Sequence, residues 1–115
     1  MAFTVAEKHA FKAVVAAFIE KRRPPDDIRP RLDLGFRITD QSIEIFEIRP
    51  VWNDPTRKRE SCVAKATYVR SRGLWKVYWV QADLQWHSYH PKPAVRRLQQ
   101  FLELVDKDAH HCFWG

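Results

Sequence analysis

The stretch LWKVYWVQADLQWHSYHP, residues 74–91, decides the fold because it reads as two short aromatic strands joined by a tight turn at residues 82–83. Aromatic side chains bury the most area per residue and are common in small cores. Aromatic density beside positive charge also indicates nucleic-acid contact. The stretch is therefore either core or binding surface. Its rings belong to Trp75, Tyr78, Trp79, Trp86 and Tyr89.

Most of the positive charge lies directly before this stretch. The 115 residues carry a formal net charge of +6, and seven basic residues with a single acid, Glu60, fall between residues 57 and 76. The rest of the chain has 13 basic and 13 acidic residues. A concentrated positive field attracts polyanions, whereas a solvated face that keeps a protein soluble has the same composition. The seven are Arg57, Lys58, Arg59, Lys65, Arg70, Arg72 and Lys76.

The N-terminal segment predicts a helix over about residues 4–22. Thr4 and Glu7 have the spacing of a capping box, in which each side chain satisfies the other residue's free backbone amide. Apolar residues then recur at helical spacing, and Pro24-Pro25 ends the helix. The apolar stripe consists of Phe11, Val14, Val15, Phe18 and Ile19.

Two strands are predicted next, over residues 32–38 and 42–48. Apolar and polar side chains alternate in the first strand, as expected when one face is buried. A two-residue turn at Asp40-Gln41 places the apolar residues of both strands on one face. The predicted pairs are Ile38 with Ile43 and Phe36 with Ile45.

A loop is predicted over residues 50–58, with Trp52 exposed, followed by strands over 59–70 and 74–81. A turn at Arg72-Gly73 places small residues opposite large ones, whereas a three-residue turn moves the tryptophans to the other face. Both registers stay open, so Trp75 and Trp79 are either core or surface. The pairs for the first register are Ala66 with Trp79 and Tyr68 with Val77.

A fifth strand over residues 84–89 and a second helix complete the chain. Pro91 and Pro93 lead into this helix, which ends near Asp108. The order predicts an α+β, two-layer fold in which N- and C-terminal helices pack on an antiparallel meander of four to five strands. Residues 1–115 form a single domain. We expect Trp114 to pack against the core and fasten the C-terminal tail.

Composition favours a cytoplasmic protein that does not contact a membrane. The longest apolar run, Ala13–Ile19, is far shorter than the roughly 20 residues a spanning helix needs. The sequence lacks the layout of a secretory signal. Cys62 and Cys112 are then free thiols, because the cytosol is reducing.

Several short motifs stand in order along the chain. They are RPVW (49–52), AKATY (64–68), WKVYW (75–79), DLQWHSY (83–89) and FWG (113–115). Together they resemble a family of small bacterial proteins known only as a domain of unknown function. The resemblance implies a compact, stand-alone bacterial domain and carries no information about chemistry.

The residues of metal sites and catalysis are present without a supporting motif. A tail folded over the fifth strand would bring His87 and His90 towards His110, His111 and Cys112, as tetrahedral zinc requires. Nothing in the spacing places a base beside Cys62 or an acid beside His87. We expect no cofactor, no metal and no catalytic residue, and the sequence favours a protein without enzymatic activity.

The sequence therefore predicts a non-enzymatic binding module that acts through protein–protein contacts, as a monomer or dimer. The alternative is nucleic-acid binding through the basic, aromatic strands of residues 57–79. Phosphates need cations and bases stack on aromatic rings, whereas protein interfaces depend on aromatic and Arg anchors. The candidate surface for either partner consists of Arg49, Trp52, Lys65, Arg70, Arg72, Lys76 and Tyr78.

Overall fold

The fold was analysed in a computed structural model, which describes residues 2–114. Two helices and an antiparallel sheet form two layers, as the sequence predicts. The sheet order is β1-β2-β3-β4-β5, with β6 paired to β4. The elements are α1 (Val5–Arg22), β1 (Asp33–Thr39), β2 (Ser42–Val51), β3 (Asp54–Val69), β4 (Leu74–Val80), β5 (Trp86–Ser88), β6 (Ala94–Val95) and α2 (Leu98–Lys107).

The N-terminus of α1 has the predicted capping box. The Glu7 amide donates to the Thr4 hydroxyl at 3.1 Å, and the Thr4 amide donates to the Glu7 carboxylate at 2.9 Å. Val15 and Ile19 are buried against the sheet. The helix ends at Arg22, two residues before the first of two prolines, which cannot continue its hydrogen bonds.

The β1–β2 hairpin has the predicted register. Ile38 lies opposite Ile43 and Phe36 opposite Ile45. Asp40 takes a left-handed conformation with φ 49°, which a two-residue hairpin turn requires and which Asp tolerates. The pairs Ile38–Ile43 and Phe36–Ile45 consequently lie on one face, where both helices pack, whereas Phe46 lies on the opposite face.

The β3–β4 register differs from both sequence-based alternatives. Ala66 lies opposite Val77 and Tyr68 opposite Trp75, two residues from the first predicted register. The amides of Arg72 and Gly73 both donate to the Val69 carbonyl, at 3.1 and 2.9 Å, so the loop contains four residues. A shift of two residues leaves every side chain on the same face, and the faces therefore match the Arg72-Gly73 prediction.

The predicted loop over residues 50–58 is wrong for most of its length. β2 continues to Val51 and β3 begins at Asp54, so only Trp52 and Asn53 lie between the strands. Pro50 lies opposite Lys58 within the ladder. A proline is tolerated there because the segment has no strand on its other side to receive an N–H.

The second half of the chain contains two further differences. β5 is limited to three residues, within the predicted 84–89. The expected start of the second helix is instead a short strand, β6, where Ala94 pairs with Lys76 and Val95 with Trp75. Because β6 positions Val95 in the core, α2 begins only at Leu98.

The two faces of the sheet have different surroundings. Both helices pack on one face, here called the covered face, where Trp75, Val77, Ile43 and Ile45 join Phe101 in the core. The opposite face, here called the outer face, carries the side chains that alternate with these residues along each strand. The main outer-face residues are Gly35, Arg37, Glu44, Phe46, Glu60, Cys62, Lys65, Lys76, Tyr78, Val80 and Trp86.

Candidate binding surface

The position of the helices determines which aromatic residues are accessible. On β4, Trp75 and Val77 are 3% and 0% exposed, whereas Lys76 is exposed and Tyr78 half-buried on the outer face. Lys65 lies directly opposite Tyr78 on β3. Trp75 is therefore a core residue and the half-buried Trp79 packs against the core, whereas the basic residues share the outer face with different rings.

Lys65 lies between two of these rings. Its Nζ is 5.0 Å from the Tyr78 ring centroid and 4.8 Å from that of Trp86. Trp86, on β5, reaches this position because it pairs with Val80 of β4, which lies two residues beyond Tyr78. Each contact is a cation–π interaction of about 0.5–1 kcal/mol at an exposed site. The rings hold the ammonium group on the surface, and no carboxylate within residues 2–114 lies within ion-pair distance of it.

The β1–β2 half of the outer face is closed by a small aromatic cluster. Phe46 is 6% exposed, with the Arg37 guanidinium 4.5 Å above its ring. The ring lies on Gly35, where an added Cβ would approach its carbons within 2.7 Å. Arg37 in turn pairs with Glu60. This half has a structural role and exposes little apolar area.

Cys62 lies beside this cluster and is unsuited to nucleophilic catalysis. Desolvation and the neighbouring Glu44 carboxylate raise the pKa of the Cys62 thiol. Its sulfur lies 3.8 Å from a Glu44 oxygen, to which it donates. Since the thiolate is the reactive form, this raised pKa does not favour Cys62 as a nucleophile.

Arg70 is diverted from the candidate surface. Its guanidinium donates to both Glu7 oxygens, at 2.6 and 3.0 Å, and so ties the β3–β4 loop to the start of α1. The hydrogen bond from Arg70 lowers the pKa of Glu7 from 4.5 to about 2. Arg70 therefore serves the fold, and its inclusion in the binding surface is not supported by its contacts.

The other basic residues of this segment are not paired with acids. Within residues 2–114, ion pairs to carboxylates are made by Arg70 alone among the seven. Lys58 donates to the Pro30 carbonyl at 2.8 Å, and Lys65 contacts rings. The six cations without an acidic partner are Arg57, Lys58, Arg59, Lys65, Arg72 and Lys76.

Further cations lie beside Lys76 at the start of α2. Lys76 pairs with Ala94, and Lys92 and Arg96 line an adjacent depression of about 370 Å³. Both are exposed, and neither has an acidic partner in the part of the chain that the structure describes. Arg72 lies on the loop that leads into Leu74, another residue of that depression. The position of Lys92 and Arg96 beside Lys76 depends on β6, which the sequence pattern does not predict.

The predicted surface residues consequently separate into three groups, of which Arg70, bonded to Glu7, is one by itself. Lys65, Lys76 and Tyr78 share the outer face, and Arg72 lies at the end of it. Arg49 and Trp52 lie on the distant β2–β3 hairpin. Trp86 was not among the predicted surface residues; its spacing from Val80 would have identified it only once the β4–β5 turn was known.

The histidines do not converge. His87 Nε2 lies 2.8 Å from Asp83 Oδ2 in the β4–β5 turn, where the Gln85 amide and His87 lower the pKa of Asp83. The His110 ring lies against Tyr89, and the Cys112 thiol donates to the His110 carbonyl. Among residues 2–114, no group of three or more His, Cys, Asp or Glu side chains could hold a metal ion.

The C-terminal tail is fastened to the core, as expected for Trp114. The buried Asp108 carboxylate accepts hydrogen bonds from the amides of Phe113 and Trp114, at 3.0 and 2.9 Å. The Trp114 indole donates to the Val105 carbonyl at 2.7 Å and lies under Arg22. The tail therefore contributes to the fold, and Gly115 of the FWG motif lies outside the described residues.

With this geometry established, the chain can be compared with known proteins. One family matches residues 3–115, almost the full length. The chain belongs to that family, the Domain of unknown function (DUF3024). The resemblance seen in the sequence motifs is thereby confirmed at the level of the family. No curated protein and no solved structure matched the chain.

Membership of DUF3024 assigns a family and no activity. Neither described helix is long and apolar enough to cross a membrane.

Proposed function

We propose that this DUF3024 protein is a non-enzymatic binding module whose outer face contacts single-stranded nucleic acid. One observation carries the proposal: Lys65 lies between the Tyr78 and Trp86 rings on a sheet face that neither helix covers. Proteins that bind single strands combine cations that follow the backbone with aromatic rings on which bases stack.

The charge distribution supports a phosphate ligand. Lys65 and Lys76 lie on the same face, and Arg72, Lys92 and Arg96 extend it towards α2. Cations that lack acidic partners are available to neutralise phosphates and release the counterions that drive such binding. Paired cations such as Arg37 and Arg70 would first have to leave their carboxylates.

The apolar surface is less suited to a protein partner on this face. Interfaces between proteins bury an apolar core with a polar rim, but Phe46, a large apolar residue of the outer face, is already buried under Arg37. The large apolar side chains exposed within residues 2–114 lie on separate elements, away from the outer face. They are Val5, Ile28, Trp52 and Leu84.

Protein–protein contact remains the second candidate, favoured by one observation. Trp52 is 93% exposed at the tip of the β2–β3 hairpin, near Arg49. Tryptophan and arginine are the residues enriched in interface hot spots. A partner of this kind would bind the hairpin tip, whereas nucleic acid would need the outer face.

A charge-removal experiment tests the proposal. Affinity for a labelled, mixed-sequence single-stranded RNA of about 20 nucleotides is measured by anisotropy at about 50 mM salt. Lys65→Gln with Lys76→Gln should weaken binding by roughly 10- to 100-fold, because two phosphate contacts are lost. The matched control is Lys8→Gln with Lys12→Gln, which removes the same charge from the exposed side of α1. No binding by the unmodified protein, or an equal loss in both double variants, would overturn the proposal.

A further inference from the structure

The hairpin between β2 and β3 extends beyond the rest of the sheet. β1 pairs with β2 as far as Asp33 opposite Ile48, and β4 pairs with β3 from Ala64 onward. Among residues 2–114, the segment from 49 to 59 is therefore paired only with itself. This two-stranded segment, here called the β2–β3 arm, ends in the exposed turn at Trp52 and Asn53.

The arm concentrates positive charge that its own residues do not neutralise. Arg49 lies directly opposite Arg59, and like charges in that position are destabilising. The single acid of the arm, Asp54, accepts hydrogen bonds from the hydroxyl and amide of Thr56, at 2.6 and 3.2 Å. Glu47 at the base of the arm approaches only Arg49, at 3.4 Å. A bound polyanion would relieve this repulsion. The cations of the arm are Arg49, Arg57, Lys58 and Arg59.

The tip of the arm exposes an aromatic ring to solvent. The Trp52 side chain is 93% exposed, although an indole gains more from burial than most side chains. An exposed indole among cations has the composition of a base-stacking site. Two-stranded ribbons of this kind are also narrow enough to follow a nucleic-acid strand or groove.

We infer that the β2–β3 arm is a second contact for single-stranded nucleic acid, in which Trp52 stacks on a base while the arginines bind the adjacent phosphates. This inference rests on the proposed function of the outer face. It adds that one strand bridges two separate contacts, the outer face around Lys65 and the tip of the arm.

The distance between the contacts makes the inference testable by ligand length. Glu44 pairs with Lys65, and Val51, which precedes Trp52, lies seven positions beyond Glu44 along β2. At about 3.3 Å per residue the contacts are roughly 23 Å apart. A tetranucleotide has only three backbone steps, which span about 10 Å when stacked as in a duplex strand and stay shorter than this separation when extended, so it reaches one contact at a time. A strand of about 20 nucleotides reaches both and gains effective concentration at the second contact.

The experiment compares Trp52→Ala with Trp52→Phe, using a single-stranded tetranucleotide and a strand of about 20 nucleotides. Trp52→Ala should weaken binding of the long strand about 5- to 100-fold, the loss measured when a stacking ring is removed. Trp52→Phe should keep most of the affinity because it keeps a ring. The tetranucleotide should be held mainly by the outer face and change little. Leu84→Ala is the matched control, since Leu84 is also an apolar residue exposed at a turn.

Each result separates the arm from the outer face. If Trp52→Ala binds the long strand as tightly as the unmodified protein, while the Lys65/Lys76 double variant is weakened, the arm is not a contact and the proposed function stands. If the unmodified protein binds neither strand, both the proposed function and the arm inference fail. If it binds neither strand but self-associates, and Trp52→Ala abolishes that association in sedimentation, the tip is a protein contact instead.

Discussion

Neighbouring residues of β4 belong to two different regions of the molecule. Trp75 and Val77 lie in the core beneath the helices, whereas Lys76 and Tyr78 lie on the outer face. On the covered face, apolar contacts hold α1 and α2 to the sheet. On the outer face near β4, cations without acidic partners contact rings and solvent. The difference indicates that the helix-covered face contributes most of the stability, whereas the β4 part of the outer face stays accessible.

The largest effect should come from the covered face. Trp75→Ala removes a ring that packs against Phe3, Phe11 and Tyr68, so unfolding free energy should fall by about 3–5 kcal/mol. Lys76→Gln, one residue away, should change it by less than about 0.5 kcal/mol. Denaturant melts measure both. Similar losses for the two variants would remove the distinction between the faces.

The tail should show the next largest effect. Asp108→Ala leaves the Phe113 and Trp114 amides without their acceptor, which should cost about 2 kcal/mol of unfolding free energy. Asp108→Asn retains one amide oxygen and tolerates the left-handed φ of 41°, so it should lose less. Thermal melts compare the two, and a harmless Asp108→Ala would mean that the tail is not fastened as described.

The β1–β2 half of the outer face also contributes to stability, through the contact between Phe46 and Gly35. Gly35→Ala places a methyl group against the Phe46 ring, and the overpacking should cost about 1–2 kcal/mol. Shortening the ring by Phe46→Leu in the same chain should recover part of that loss. A double-mutant cycle from denaturant melts gives the coupling, and strict additivity would contradict the contact between ring and glycine.

The sequence predicts features that depend on local interactions better than features that depend on residues distant in the chain. The capping box of α1 and the β1–β2 register were predicted because turn, period and cap are local signals. The β3–β4 register was not, because two amides of the loop share the Val69 carbonyl and lengthen the turn. Pro50 and Pro55 give the arm the sequence pattern of a loop, although prolines are tolerated where a strand has a free edge.

The candidate surface was predicted in part for the same reason. Alternation along β4 places Lys76 and Tyr78 together once the helices define the covered face. The ion pair of Arg70 could not be predicted, because its partner, Glu7, is 63 residues away in the chain. Trp86 and Arg96 required the β4–β5 and β4–β6 pairings, which have too few residues to be read from periodicity.

The smallest effect on stability should come from the ion pair between Arg70 and Glu7. Arg70 lowers the pKa of Glu7 to about 2, so the pair stabilises the fold fully above pH 4.5 and loses its contribution as pH falls towards 2. The stability difference between the unmodified protein and Arg70→Gln should therefore shrink across that range. Melts at a series of pH values measure it. A difference that stays constant with pH would contradict the ion pair.

The salt dependence of single-strand binding shows whether the outer face binds phosphates. Logarithmic plots of affinity against salt have a slope of about −0.7 for each phosphate neutralised on a single strand. We predict that Lys65→Gln with Lys76→Gln makes the slope less steep by about 1.4, while Lys8→Gln with Lys12→Gln leaves it unchanged. Parallel plots for the unmodified protein and the Lys65/Lys76 variant would contradict the claim that the outer face binds phosphates.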